Sequence, residues 1–241
     1  MKRIRLGVLT PSSNTALEPL TCAMLHGQPG LSAHFSRFSV TRIALDEGAL
    51  GQFDDSKIIA AATLLADARV DVIGWSGTAA GWLGFDRDRM LCERITAATG
   101  IPATSAILAL NELLALRGFT RMAIVSPYLE DVQRRIQANY AAAGIEVVGE
   151  SHLSISENFA FAEVTAATLA QQVASVAHAK PQVIVPYCTN LASAHLAAQW
   201  EQQYGCAVYD TTSTVVWKML RLCGFDTSAI VGWGSLMREG C

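Results

Sequence analysis

The chain carries two versions of one pattern, and that repetition limits what it can fold into. Residues 7–11, GVLTP, match residues 123–127, AIVSP: each is a short apolar run closed by a hydroxyl side chain and a proline. About 60 residues further on in each half comes a turn of the form V-I-x-x-x-[G/C]-T, VIGWSGT at 72–78 and VIVPYCT at 183–189. Superposed, Thr78 falls on Thr189 and Gly77 on Cys188. A weaker echo sets GIPATSA (100–106) against GCAVYDT (205–211), each ahead of a helical stretch. Three features in one order, at a shift of about 105–116 residues, imply two similar halves; the period is too long for a solenoid.

Between these features, β-branched runs alternate with stretches rich in alanine and leucine. Strands are predicted at 3–10, 35–42, 70–76, 121–126, 145–149, 182–187 and 206–209. Helices are predicted at 15–26, 56–68, 86–98, 106–117, 129–143, 162–178, 190–203 and 211–223. The alternation reads as an α/β fold of two pseudo-symmetric lobes, each a mainly parallel sheet flanked by helices. Runs such as MAIV and QVIVPY are apolar on both faces, as strands covered on both sides must be. The first lobe is expected over 1–116 plus about 211–241, with the last helix folding back, and the second over 117–210. Ligands of open α/β sheets bind beyond the carboxyl ends of the strands. Two facing lobes would therefore direct TPSSNT, SGTAA, SPYLED and YCTNL into one cleft, the expected active site.

Composition narrows the function. A net charge of −3 with no basic run gives a nucleic acid nothing to grip. No apolar run approaches the ~20 residues that span a bilayer, so no membrane partner is expected. The opening MKRIRLGVLT is basic then apolar, like a signal peptide. Its apolar part gives way at once to TPSSNT, so a β-strand and a cytoplasmic location are expected. Six cysteines lack CxxC spacing and five histidines are dispersed, so no metal is expected. Neither GxGxxG nor a Walker lysine follows the first strand, which argues against a nucleotide. The oligomeric state, homo-oligomer or monomer, is open.

The strand ends carry the chemistry. Ser12, Ser13, Asn14 and Thr15 supply hydroxyls, an amide and helix-start N–H groups; they suit either an anionic oxygen or simple helix capping. Cys188 is predicted where a strand passes into a helix, a place that exposes the sulfur and stabilises a thiolate. A buried structural thiol is the alternative. Thr189 and Asn190 add donors beside it. Tyr128 could offer its phenol to a carboxylate or simply sit at a helix start on the surface, and Asn158 could be a ligand or a cap. His195 lies about two helical turns from Cys188, too far to be its base. Cys22, Cys92 and Cys223 fall within predicted helices and read as small apolar side chains; Cys206 and Cys241 have no context.

With these residues collected, the chain resembles the aspartate/glutamate racemase superfamily, in its maleate isomerase and arylmalonate decarboxylase branch. PSSNT, the SPY turn and CTNL recur in the family's order across nearly the whole chain. The resemblance implies two α/β lobes with a small dicarboxylate between them and no cofactor. It also implies that Cys188 is catalytic, with substrate contacts from Pro11, Ser12, Asn14, Gly77, Thr78, Ala79, Tyr128, Asn158, Thr189 and Asn190. In the family's racemases and isomerases two cysteines face the substrate from opposite lobes. By motif the second is Cys188 and the first falls on Gly77, so one thiol is missing, as in the arylmalonate decarboxylases.

Racemisation and thiol-addition isomerisation need two groups, whereas decarboxylation needs one to protonate an enediolate. The expected function is therefore a cofactor-independent decarboxylase of a substituted malonate, with Cys188 as proton donor. The alternative is a maleate cis–trans isomerase or an Asp/Glu-type racemase. PSSNT, Asn158 and CTN look isomerase-like, and Ala79 stands where the decarboxylases place a hydroxyl. A hydrolase using Cys188 as nucleophile lacks a placed histidine, and a binding protein without turnover is the last reading. Restoring the opposite thiol by Gly77→Cys is expected to confer some racemisation.

Overall fold

The apolar runs pair into two separate sheets, each of four parallel strands. The computed structural model describes residues 3–240, and Cys241 lies outside the described residues. The first half runs β1 (Ile4–Pro11), α1 (Leu17–Leu25), β2 (Leu31–Phe38), α2 (Glu47–Leu50), α3 (Asp55–Asp67), β3 (Val72–Trp75), α4 (Ala80–Leu83), α5 (Phe85–Thr99), β4 (Ala103–Ser105) and α6 (Ala106–Arg117). The second runs β5 (Arg121–Ser126), α7 (Glu130–Ala142), β6 (Glu146–His152), α8 (Asn158–Phe161), α9 (Ala166–Ala177), β7 (Val183–Pro186), α10 (Ala197–Tyr204), β8 (Ala207–Val208) and α11 (Thr211–Leu222). Strand orders are β2-β1-β3-β4 and β6-β5-β7-β8, so the halves share one topology. The paired motifs GVLTP and AIVSP end the second strand of each sheet, β1 and β5, and the two V-I turns follow β3 and β7.

Three expectations need correction. The second strand begins at Leu31 rather than 35, because it runs in parallel register with the whole of β1, from Ile4↔Leu31 to Pro11↔Phe38. A strand at Ala103–Ser105 was not predicted; three residues are too few to show alternation. The helix expected from 190 starts only at Ala197, after a 3-10 turn over Ala194–Leu196. Residues 188–193 are held in turns instead, with Leu191 N–H donating to the Cys188 carbonyl (3.1 Å) and the Ser193 hydroxyl to Asp210 (2.5 Å).

Asp210 caps α11, accepting from the N–H groups of Thr212 (2.8 Å) and Ser213 (3.2 Å). From there α11 packs against α6, β3 and β4. A Cβ on Gly74 of β3 would stand 2.8 Å from Val215 and collide with the Met219 sulfur, so the glycine is what lets this helix lie on the sheet. Thr214 donates to the carbonyl of Ala106, tying α11 to the start of α6 (2.9 Å).

Candidate active site

The carboxyl ends of β1, β3, β5 and β7 converge where the sheets face each other, and polar side chains stitch the seam. Arg37 donates to the carbonyls of Ser12 (2.8 Å) and Asn14 (2.9 Å), fixing the turn after β1. Asn14 Oδ1 accepts from Ala16 and Leu17 N–H (both 3.0 Å) and so caps α1. Its Nδ2 reaches across to Thr189 Oγ1 (3.3 Å), which donates onward to the Ser76 carbonyl (3.1 Å). Asn190 answers from the other half, its Oδ1 accepting from Thr15 (2.9 Å) and Ala16 (3.1 Å) N–H and its Nδ2 bonding the Asn158 carbonyl (2.5 Å). Asn158 Nδ2 donates to Ser13 Oγ (2.8 Å). Backbone rungs continue the seam from Ile43 N–H to the Ser156 carbonyl (2.8 Å) and from Asn158 N–H to the Thr41 carbonyl (2.9 Å).

Inside the seam is a cavity of about 20 Å³, room for one water molecule. Of the residues expected at the site, Pro11, Gly77, Thr78, Ala79, Tyr128, Asn158, Cys188 and Thr189 line it. Ser12, Asn14 and Asn190 do not; they hold the turns and the seam behind the wall. The sequence reading missed the apolar side, formed by Val40, Ile43, Phe53, Trp75 and Trp82. The Trp82 ring meets Tyr128 edge-on at 5.4 Å, and its buried Nε1 has no hydrogen-bond partner among the described residues. No backbone acceptor pairs with the N–H groups of Gly77, Thr78, Ala79 or Thr189 there either.

Cys188 is 3% exposed and lies in the turn after β7, with no helix beginning beside it. Both the exposed sulfur and the helix-stabilised thiolate are therefore corrected. Burial pushes the thiol up to about 12, against hydrogen bonds from Tyr128 and from the N–H groups of Asn190 and Leu191; the charge of Asp210 adds to the rise. Near neutral pH the sulfur is a protonated S–H. Tyr128, expected either as a donor or on the surface, is 2% exposed. Its hydroxyl lies 2.6 Å from Thr78 Oγ1 and bonds Cys188, and burial holds the phenol well above its usual range. Asp210, behind the Cys188 turn, is pushed up to about 6 by burial, against hydrogen bonds from Ser193, Ser213 and Thr212.

The position matched to the missing thiol is not bare. A Cβ on Gly77 would stand 2.5 Å from Cε2 of the Trp75 indole and nearer still to Cζ2 and Cη2. Cys188 and Tyr128 are the ionisable groups among the lining residues; the lining has no Asp, Glu, His, Lys or Arg.

Elsewhere, His195 is exposed and Cys92 is buried. Cys22 is exposed rather than packed, while Cys206 and Cys223 are half-buried. No three His, Cys, Asp or Glu side chains stand close enough to hold a metal among the described residues, and no helix there is long and apolar enough to cross a membrane.

A sequence profile described as arylmalonate decarboxylase matches residues 17–237. A maleate isomerase of Pseudomonas putida is 28% identical over 97% of this chain and 96% of its own length. An arylmalonate decarboxylase of Bordetella bronchiseptica is 32% identical over 59% of this chain and 60% of its own. A crystal structure of a maleate isomerase from Pseudomonas putida, with maleate, superposes with a TM-score of 0.90 at 26% identity, covering 99% of both chains.

Proposed function

The chain belongs to the arylmalonate decarboxylase family, and from that premise we propose that it is a cofactor-independent decarboxylase of a substituted malonate, with Cys188 as the proton donor. One observation carries this reading. The cavity lining holds a single thiol, its other ionisable group, Tyr128, is bonded to that thiol, and the matching position is a glycine under an indole. Such a site can complete a reaction that needs one proton on one face.

The steps follow from the groups in place. The carboxylate that stays is held by neutral donors: the Tyr128 and Thr78 hydroxyls and the unpaired N–H groups of the two turns. A substituted malonate is larger than the one-water cavity, so the walls must part to admit it. The carboxylate that leaves then lies against Val40, Ile43, Phe53 and Trp75, which offer its charge no solvation and favour its loss as CO₂. The C–C bonding pair passes into an enediolate, whose negative oxygen meets the same fixed donors. The S–H bond of Cys188 then breaks as the new C–H bond forms, and the thiolate recovers its proton from water. A raised thiol suits this role, since a donor must hold its proton until the carbon needs it.

The relatives named maleate isomerase favour a second reading, cis–trans isomerisation of a small dicarboxylate. That chemistry asks the sulfur to attack as a thiolate, which burial at Cys188 opposes. The test is direct. Purified protein is given methylmalonate, phenylmalonate and maleate; CO₂ release from a malonate without fumarate from maleate supports the proposal. Fumarate without CO₂ overturns it.

A further inference from the structure

Gly77 looks like a position that could take back a side chain, and its surroundings say otherwise. Trp75 is the last residue of β3 and Gly77 lies two residues beyond it, where an ideal Cβ would point into the Trp75 indole. The indole lies across the glycine, and a Cβ at 77 would fall within its six-membered ring edge. The ring has little freedom to leave. Trp75 is 1% exposed, packs against Phe38 at a centroid distance of 5.1 Å, and follows Gly74, which is pressed beneath α11. It lines the same cavity as Cys188.

We propose that Trp75 is the specificity-determining residue that holds this site to one-sided proton transfer. Its indole fills the volume that an opposing acid–base side chain at 77 requires, so that side chain cannot return while the indole stays. The inference rests on Cys188 being the proton donor to the α-carbon. In the forward step the enediolate pair takes the Cys188 proton; in reverse, the thiolate removes that proton from the same face. Delivery to the opposite face needs a second titratable acid there. The amide, indole and aliphatic hydroxyl donors of the lining hold their protons too tightly to give them up, and the benzo edge of the Trp75 indole has only carbon-bound hydrogen. The product acid therefore exchanges its α-hydrogen with retention.

Four proteins test this: the wild type, Gly77→Cys, Trp75→Leu and the double variant. Each is first assayed for CO₂ release, then incubated in D₂O with one enantiomer of 2-phenylpropanoate. Racemisation is followed by chiral chromatography and α-deuterium by NMR. Gly77→Cys alone is expected to racemise no faster than the wild type, and the double variant at least about 10-fold faster than either single change. A double variant no faster than Gly77→Cys alone overturns the proposal. A second measurement needs no turnover. Gly77→Ala is expected to lower Tm by roughly 5 °C with Trp75 present and to change it little in the Trp75→Leu background. Equal shifts in the two backgrounds overturn the steric claim while leaving the decarboxylase reading intact. Absence of both CO₂ release and α-exchange in all four proteins sinks the role of Cys188, and the proposal with it.

Discussion

The hydroxyls of Thr78 and Tyr128 lie 2.6 Å apart across the seam between the two halves, and the phenol also bonds the Cys188 thiol. One residue from each repeat thus meets beside the sulfur, and neither can move without the other noticing. Tyr128→Phe removes both bonds while keeping the ring contacts with Trp82 and Phe161. The expected result is a fall in kcat of about 10²-fold with a stability loss of only about 1 kcal/mol. Steady-state rates and melting curves on the same preparation check both halves of this.

Cys188 should behave as a buried thiol. Alkylation by iodoacetamide near neutral pH is expected to label the exposed Cys22 well before Cys188, whose sulfur is 3% exposed and pushed up to about 12. Peptide mass mapping over time reads the order. Because the donor must stay protonated, the pH–rate profile should show no loss from Cys188 until the pH approaches that value. Faster labelling of Cys188 than of Cys22 would contradict the assignment of a neutral thiol.

Asp88, on α5, is fully buried with one oxygen unpartnered. Burial raises it to about 7, against a hydrogen bond from Ser105 and the charge of Arg87, while Asp55 adds to the rise. A carboxyl raised on folding binds its proton more tightly in the native state than in the unfolded chain. Stability should therefore fall as pH rises from about 4 to about 7 and level off above. Asp88→Asn removes the ionisation and should flatten that limb, gaining up to about 4 kcal/mol at alkaline pH. Denaturant melts across the pH range measure it.

Asn190, itself buried, accepts two N–H groups from the other half and donates to a third backbone group. Asn190→Ala takes the side-chain partner from the Thr15 N–H and the Asn158 carbonyl, while the Ala16 N–H keeps Asn14 Oδ1, and should cost about 1–3 kcal/mol, a Tm drop of about 2–4 °C for each. Activity should fall as well, because Thr189 next to it lines the cavity. A variant as stable as the wild type would remove the seam from the account.

The two parallel sheets and the likeness of the halves were legible because β1, β3, β5 and β7 are short apolar runs closed by paired punctuation. The strand-end turns and Cys188 were legible for the same reason. The helix after Cys188 was misread from a stretch that looks like a cap followed by alanines. What the one-dimensional pattern hides is that the Asn190 amide and the Ser193 hydroxyl are already engaged with distant partners, Thr15 and Asp210. Val40 was placed in a strand expected to run to 42 but lies beyond its end at Phe38, Ile43 and Phe53 belong to no strand or motif, and only folding brings the three to the cavity. Trp75 is different: it falls in the strand predicted at 70–76, but nothing in the linear pattern shows that its indole reaches over Gly77 beyond the strand end.

The way α11 caps on Asp210 and then lies across β3 has a consequence for how the molecule is born. Val215 and Met219, which cover Gly74, leave the ribosome well over a hundred residues after the strand they shield. The leading sheet must wait, one flank uncovered, until the trailing helix arrives, and synthesis that stalls late in the message leaves greasy surface open to chaperones and to neighbouring nascent chains.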